Sequence, residues 1–324
     1  MSLVRIGVIG AGRWGQVYLR TIAALGDRCR LTHLGTSKPQ HASLVPYPVC
    51  VEADWHRVVE SDCDAVIIAT PAATHAEIVE ACMDAGKPCI VEKPFCLDVA
   101  TAERLHARIQ TTGALVFVDH TQLFNPAYQT LKRRVQQTRE PIRTILAERL
   151  GTGDPRTETP VLWEWGPHDV SLCLDLVGQR PHHVEVLRGP RGSADSPALV
   201  MVRLDFSGGV CAWIQTGWLA AQKRRLFSLV TDRCLYVFDD LAREKLSESA
   251  LKATGGDGGL PVWPAQRPLP VADARPSMVA MVTYFLDGLA GGDRGYFGSA
   301  LALDVVRVLA ACEAALVPAV RDVS

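Results

Sequence analysis

The chain begins with the feature that most limits what it can fold into. Val4-Arg5-Ile6-Gly7-Val8-Ile9 has the apolar character of a buried strand and runs directly into Gly10-Ala11-Gly12-Arg13-Trp14-Gly15. In a strand–turn–helix setting, the first glycine of a GxGxxG turn permits the reversal and the second lets a pyrophosphate approach main-chain amides. The third lets the helix pack closely on the strand. Unpaired amides and the positive dipole end of that helix then hold the phosphates. Glycines so spaced also occur in ordinary turns. Here a helix expected over 16–25, closed by Gly26 and Asp27, and a second apolar segment over 31–34 give the turn the setting a dinucleotide-binding fold requires.

The same alternation continues to about residue 120. Asp64 to Thr70 is a continuous apolar run of the kind a strand buried on both faces needs, and Pro88 to Glu92 is a shorter one. Helices are expected over 75–86 and 98–112, with a further strand over 114–118. Repeated strand–helix–strand units imply right-handed crossovers and a parallel sheet. Beyond residue 120 the pattern changes. Helices expected over 126–138 and 168–177 accompany alternating runs at 183–186, 198–206, 210–218, 226–230 and 234–238, which predict a mainly antiparallel sheet. The glycine- and proline-rich stretch 255–270 reads as a loop, and helices are expected over 276–289 and 298–316. The expected fold is therefore an α/β Rossmann domain with a doubly wound parallel sheet over 1–120. An α+β domain with a large, mainly antiparallel sheet follows over 121–324.

Composition agrees with that size. A chain of 324 residues, 48% of them hydrophobic, can bury a large core divided over about two domains. The net charge of -1 and the absence of a basic run longer than Lys132-Arg133-Arg134 imply neither nucleic acid nor an anionic membrane as a partner. Strand one begins at once, without a charged and apolar leader, and no long apolar run follows, so a cytoplasmic location is expected. The ten cysteines are scattered with no CxxC pair, which predicts small reduced core residues rather than a metal site.

Four segments could carry chemistry. At the end of the second strand, where an acidic side chain usually holds a ribose 2′-hydroxyl, stand Thr36-Ser37-Lys38. A hydroxyl followed by a cation suits a 2′-phosphate better, so NADP is preferred over NAD, with Lys38 as a solvated loop residue of a NAD enzyme the alternative. Thr70-Pro71-Ala72-Ala73-Thr74-His75 leaves the long apolar strand at its carboxyl end, where open α/β sheets bind ligands. His75 either lines the nicotinamide region or only begins a helix. Glu92-Lys93-Pro94 leaves the next strand at the same edge, and its lysine can donate to a substrate or ribose hydroxyl. Glu164-Trp165-Gly166-Pro167-His168-Asp169 precedes an apolar helical run. Pro167 is read as the first helical residue, which puts His168 in the first turn and Glu164 just before it. Oxidising a carbinol requires that its hydroxyl proton leave as well, and histidine titrates near neutral pH. A lone histidine at a helix start can equally be a polar surface residue.

Together these segments resemble the Gfo/Idh/MocA oxidoreductases: the strand with Gly10, Gly12 and Gly15, the Thr70-Pro71 to His75 segment, Ala85-Gly86-Lys87-Pro88 leading to Glu92-Lys93-Pro94, Leu123-Phe124-Asn125-Pro126, and Gly166-Pro167-His168. The resemblance implies a NAD(P)-dependent dehydrogenase or reductase acting on a sugar, cyclitol or nucleotide sugar, forming a homodimer or homotetramer through the open face of its second sheet. It makes Lys93 and His168 the catalytic pair, with Glu164 at a position that is commonly aspartate, and either Glu164 or Asp169 would support the pair. It assigns Gly10, Gly12, Arg13, Trp14, Gly15, Thr36, Ser37, Lys38, Thr70, Pro71, His75, Glu92, Lys93 and Pro94 to the cofactor. It also implies a cis bond before Pro94. Two rival readings are a redox-assisted glycosidase, in which transient oxidation allows a leaving group to be eliminated, and a cofactor-binding sensor without catalysis. Substrate contacts stay open. Trp163, Trp165, Trp213, Trp218, Phe124 and Tyr128 could face a sugar or fill the core, and Lys223-Arg224-Arg225 could meet a phosphate or solvent.

Overall fold

Continuous apolar runs that alternate with amphipathic helices bury best as a sheet covered on both faces, and the first half of the chain does this. In a computed structural model, residues 3–152, 159–190, 192, 196–251, 265–273 and 275–316 are described. The early elements are β1 (Val4–Ile9), α1 (Arg13–Ala24), β2 (Cys29–Gly35), β3 (Cys50–Glu52), α2 (Trp55–Glu60), β4 (Ala65–Ile68), α3 (His75–Asp84), β5 (Cys89–Val91), α4 (Val99–Thr112) and β6 (Val116–Val118). Then come α5 (Pro126–Thr138), β7 (Ile142–Thr152), α6 (Val161–Val177), β8 (His183–Arg188), β9 (Leu199–Asp205), β10 (Cys211–Gly217), β11 (Leu219–Thr231), β12 (Cys234–Asp239), β13 (Leu246–Ala250), β14 (Arg267–Pro268), α7 (Ser277–Leu289) and α8 (Ala300–Ala314).

The chain divides into two compact units: Met1–Phe124 with Arg275–Val306, and Asn125–Ala274 with Arg307–Ser324. A single cut near residue 120 does not anticipate the return of 275–306 to the first unit. The physical reason is an aromatic cluster. Phe117 of β6 and Phe124 meet Tyr284 and Phe285 of α7, with Tyr296 and Phe297 beside them, at ring separations of 5.1 to 6.1 Å. Gly298 N–H also donates to Val116 O at 2.7 Å, extending the edge of β6.

The first sheet is parallel throughout, in the order β3-β2-β1-β4-β5-β6. All four residues of β4 are completely buried, as its unbroken apolar run requires. Strand order reverses where β1 and β4 lie side by side, so the turns leaving them open a crevice at the carboxyl edge, the usual ligand position in such sheets. Local signals end the helices where expected. Asp98 caps α4 by accepting from Thr101 N–H at 2.8 Å, and Gly113, at φ 66°, stops it.

The second unit carries an eight-stranded sheet in the order β14-β13-β12-β11-β7-β10-β9-β8, antiparallel except where β7 pairs with β10. Ile145, Ala147, Val200, Val202, Ala212 and Ile214 form its buried face, over which α6 packs. The opposite face presents Leu146, Trp213, Met201 and Leu187, all more than a third exposed and, by strand register, on one side.

Several expectations change here. Helix α6 begins at Val161, with Trp163 and Glu164 N–H groups donating to Pro160 O, so Pro167 lies inside the helix and His168 in its third turn. Interior proline costs about 3 kcal/mol. Val161, Leu162 and Trp163 are all buried ahead of it, at about 1.5–3 kcal/mol for each large apolar side chain, which offsets that cost. Strand β11 starts at Leu219, so Lys223-Arg224-Arg225 lie in a strand, after a register shift against β7. Neither β7 nor β13 was expected. Of the loop read over 255–270, residues 255–264 lie outside the described residues, and Arg267–Pro268 pairs with β13.

One buried ion pair ties α6 to the sheet. Arg149 of β7 donates from Nε and Nη2 to the two oxygens of Asp169 at 2.9 and 2.8 Å, with both residues buried. Removing one partner of such a pair leaves an uncompensated charge. Asp169→Ala should therefore destabilise the protein by about 3–5 kcal/mol, read from the urea midpoint, whereas the paired change Arg149→Met with Asp169→Leu should cost much less.

Candidate functional site

The three glycines of the first turn have different physical reasons to be glycine. Gly10 sits at φ 96°, and a Cβ there would lie 2.5 Å from Ala69 O. A Cβ on Gly15 would lie 2.0 Å from Gly10 O. Protein packing thus accounts for both. Around Gly12 nothing comes within 4 Å of a Cβ, so no atom of the described protein requires its side chain to be absent. Gly12 is also the N-cap of α1, with no side-chain capping bond and no acidic residue in the first turn. An open glycine at an uncapped helix N-terminus fits the phosphates of a dinucleotide. Arg13 and Trp14 are exposed in that first turn, with the guanidinium 6.0 Å from the indole centre.

The Thr36-Ser37-Lys38 segment lies at the end of β2. Thr36 N–H donates to Glu52 O at 2.9 Å, and its hydroxyl oxygen accepts from Lys38 N–H at 3.0 Å. Ser37 and Lys38 are exposed, so this turn presents hydroxyls and one ammonium and no carboxylate of its own.

At the carboxyl ends of β4 and β5 the main chain is stapled by His75. Its Nδ1 lies 2.8 Å from Pro94 O and its Nε2 2.9 Å from Thr70 O, with the ring buried. A neutral imidazole can donate to only one of these carbonyls and an imidazolium to both. Burial pushes the ring below its ordinary pKa, while the two carbonyl contacts work against that shift. His75 thus holds the turn after β4, which begins at Thr70 and Pro71, to the segment after β5. The Lys93–Pro94 bond is cis.

Lys93 and Glu92 are themselves buried. Beside them the structure brings two residues that sequence reasoning passed over. Asp119 follows β6, and Tyr18 comes from the buried face of α1 and donates its hydroxyl to Asp119 Oδ2. Thr121 donates to Asp119 Oδ1 from its N–H, at 2.8 Å, and from its hydroxyl. An acidic residue directly after an apolar strand was the available signal for Asp119.

In the second unit, the first turns of α6 are almost wholly buried. Of residues 161–170, only Glu164, Trp165 and His168 keep partial exposure. They stand at i, i+1 and i+4, so Glu164 and His168 share one helix face. Asp169 has both oxygens engaged by Arg149, which leaves Glu164 as the carboxylate beside His168 on that face. Trp165 lies tilted against Trp218, with ring centres 3.8 Å apart, and 4.4 Å from the Arg225 guanidinium. Arg224 pairs with Glu148 at 3.0 Å. Trp163, Phe124 and Tyr128 are core residues.

The glycine geometry separates binding from folding. Gly12→Ala should weaken dinucleotide affinity at least about tenfold by fluorescence titration with little change in Tm. Gly15→Ala forces a methyl against a main-chain oxygen and should cost about 1–3 kcal/mol, seen as a lowered Tm without cofactor.

Comparison with known proteins agrees with this architecture. Residues 4–120 match the GFO_IDH_MocA model, described as an oxidoreductase family with a NAD-binding Rossmann fold. A provisionally assigned oxidoreductase from Magnetospirillum magnetotacticum MS-1 superposes with a TM-score of 0.85 at 39% identity, over 96% of this chain and 100% of that one. UDP-N-acetylglucosamine 3-dehydrogenase from Acidithiobacillus ferrooxidans is 29% identical over 65% of this chain and 66% of its own length. Inositol 2-dehydrogenase from Rhizobium meliloti is 27% identical over 61% of this chain and 64% of its own. The matches thus span just under two thirds of those two curated relatives. No helix among the described residues is long and apolar enough to cross a membrane. With its glycine turn, its Glu92-Lys93-Pro94 segment and its second sheet, the chain belongs to the Gfo/Idh/MocA family of oxidoreductases, which have a NAD-binding Rossmann fold.

Proposed function

We propose that this protein catalyses reversible hydride transfer between a nicotinamide dinucleotide and a secondary alcohol or ketone carbon of a sugar, cyclitol or nucleotide sugar. The observation that carries this reading is the sharing of one sheet edge by an open glycine cradle and a buried lysine amine, Gly12 after β1 and Lys93 after β5. The names of the curated relatives, which are dehydrogenases of a nucleotide sugar and of inositol, support the substrate class.

Gly10, Gly12, Arg13, Trp14 and Gly15 would hold the pyrophosphate and adenosine side of the dinucleotide, and Thr70, Pro71, Glu92, Lys93 and Pro94 its nicotinamide side. The bound cofactor supplies a hydride acceptor or donor. Lys93 donates a hydrogen bond to the reacting oxygen and polarises it. His168 takes or returns the hydroxyl proton, and Glu164 orients the imidazole from the same helix face. His75 acts on none of the reacting atoms in this reading and keeps the turns that carry Thr70 and Pro94 together. Thr36, Ser37 and Lys38 support NADP as the preferred cofactor, because Lys38 can neutralise a 2′-phosphate and no carboxylate in that turn opposes it.

The exposed row Leu146, Trp213, Met201 and Leu187 supports self-association through the open face of the second sheet. A homodimer or homotetramer is expected in sedimentation, and Trp213→Lys should shift it toward monomer.

Lys93→Met and His168→Asn should each lower kcat/KM at least about 100-fold on the substrate, while cofactor titrations of His168→Asn stay close to wild type. Near-normal turnover in both variants would refute the assignment. Lys38→Ala should weaken NADP about tenfold, through loss of a charge-assisted contact, and leave NAD affinity unchanged. Tighter NAD than NADP in the unmodified protein would overturn the cofactor preference.

A further inference from the structure

The described mechanism gives no proton chemistry to one buried pair of carboxyl side chains, and sheet register creates that pair. Strands β5 and β6 are parallel neighbours with Val91 opposite Val118, so Glu92 and Asp119, each one residue further on, come out side by side. Side-by-side residues of adjacent parallel strands lie about 5 Å apart and point to the same face. Asp119 N–H donates to Val91 O at 2.8 Å, which carries the pairing one step beyond the strands. Both side chains are at least 95% buried, and the register sets the two carboxyl groups next to each other on one face.

Two carboxylates cannot both stay ionised in contact in a dry place, so the pair must hold a proton. Their surroundings decide which one holds it. Asp119 accepts three hydrogen bonds, from the Tyr18 hydroxyl and from the N–H and hydroxyl of Thr121, and this donor set favours its anion. Glu92 has no comparable set: among the described residues its Oε1 is buried without a hydrogen-bond partner. An oxygen in that position suits the carbonyl of a neutral acid far better than half of a carboxylate. Burial and the charge of Asp119 push Glu92 well above the usual carboxyl range. Burial raises Asp119 as well, while its bonds from Thr121 and Tyr18 pull it back down.

The charged and titratable groups facing the pair are few. Tyr18 comes from α1, Lys93 follows Glu92, and the Lys93 charge favours the ionised form of both carboxyls while opposing protonation of His75 from α3. His120 follows Asp119 and is buried.

We propose that Glu92 and Asp119 form a proton-sharing carboxyl pair that carries a single negative charge, with the proton on Glu92, and that this charge keeps Lys93 as an ammonium ion. Lys93 then serves as a hydrogen-bond donor, and the proton exchanged with substrate belongs to His168 alone. Asp119 is a positioning residue acting through Lys93. The role given to Lys93 rests on the function proposed above; the protonation of the pair does not.

Two measurements on the whole protein test this without turnover. Infrared spectra at neutral pH of unmodified protein, with and without carbon-13 glutamate, should contain the carbonyl band of a protonated, buried carboxylic acid. That band should shift with the label and be lost in Glu92→Gln. Absence of such a band overturns the pair. The second measurement follows the ε-carbon resonance of Lys93, labelled with carbon-13 and assigned by its loss in Lys93→Arg. Asp119→Asn alone would leave Glu92 free to ionise and restore the charge, so the informative protein is Glu92→Gln with Asp119→Asn. In it, the Lys93 resonance should respond at lower pH than in the unmodified protein, as expected on losing an adjacent opposite charge. An unchanged Lys93 titration overturns the electrostatic role. If the double variant does not fold, Tyr18→Phe serves instead. It strips one donor from the Asp119 anion, so the glutamate acid band should weaken as the proton redistributes toward Asp119, and an unaltered band counts against the assignment. Where substrate turnover is available, the alkaline limb of kcat/KM should move down in the double variant, with kcat at high pH affected more than KM. Failure of that limb alone, with both spectroscopic results intact, would point to the proposed reaction rather than to the pair.

Discussion

Gly15 lies so close to Gly10 that any side chain there would sit 2.0 Å from the Gly10 carbonyl oxygen. That approach fixes where α1 starts, and with it everything at the carboxyl edge of the first sheet. It aims the uncapped amides of the helix beside Gly12, and it sets the depth at which Tyr18, near the middle of the helix, meets Asp119 after β6. A looser turn would still make a helix. It would not bring Tyr18 to Asp119 at the β6 end.

The two buried charge systems solve opposite problems. In the second unit, Arg149 and Asp169 neutralise each other through two parallel hydrogen bonds, and the result is a rigid tie from β7 to α6. In the first unit, Glu92 and Asp119 are two acids with no arginine against them among the described residues, so a shared proton is the compensation available. The first arrangement holds a helix that presents His168. The second sets the electrostatic ground around Lys93. The roles proposed for His168 and Lys93 thus each rest on a buried support that residue identity alone does not reveal.

Much of the first unit was legible because its signals are local. An unbroken apolar run such as Ala65–Ile68 has no place except between two layers, and Asp98 and Gly113 mark the ends of a helix by capping chemistry alone. The second unit was harder to read. Strand β7 buries Arg149 and exposes Leu146, so its pattern inverts the apolar-in, polar-out rule at two positions, and it was not recognised. Tertiary partners explain both inversions: Asp169 for the arginine, and the open sheet face for the leucine. Strand β11 was seen only from Leu226 onward, because its first half carries Lys223-Arg224-Arg225 and a register shift. Helix α6 was started too late because proline normally marks a first turn, whereas here the buried residues ahead of Pro167 extend the helix back to Val161.

Sequence by itself determined the glycine turn, the buried parallel strands, the lysine after β5 and the histidine in an apolar helix. Each follows from a residue's own backbone freedom, its hydrophobicity or the chemistry of neighbours within a few positions. Only the tertiary structure decided that His75 would staple two turns, that Asp169 would be consumed by Arg149, and that Glu92 would stand beside Asp119. Those outcomes depend on strand register and layer packing, which join residues 19 or more positions apart and leave no local trace in the chain.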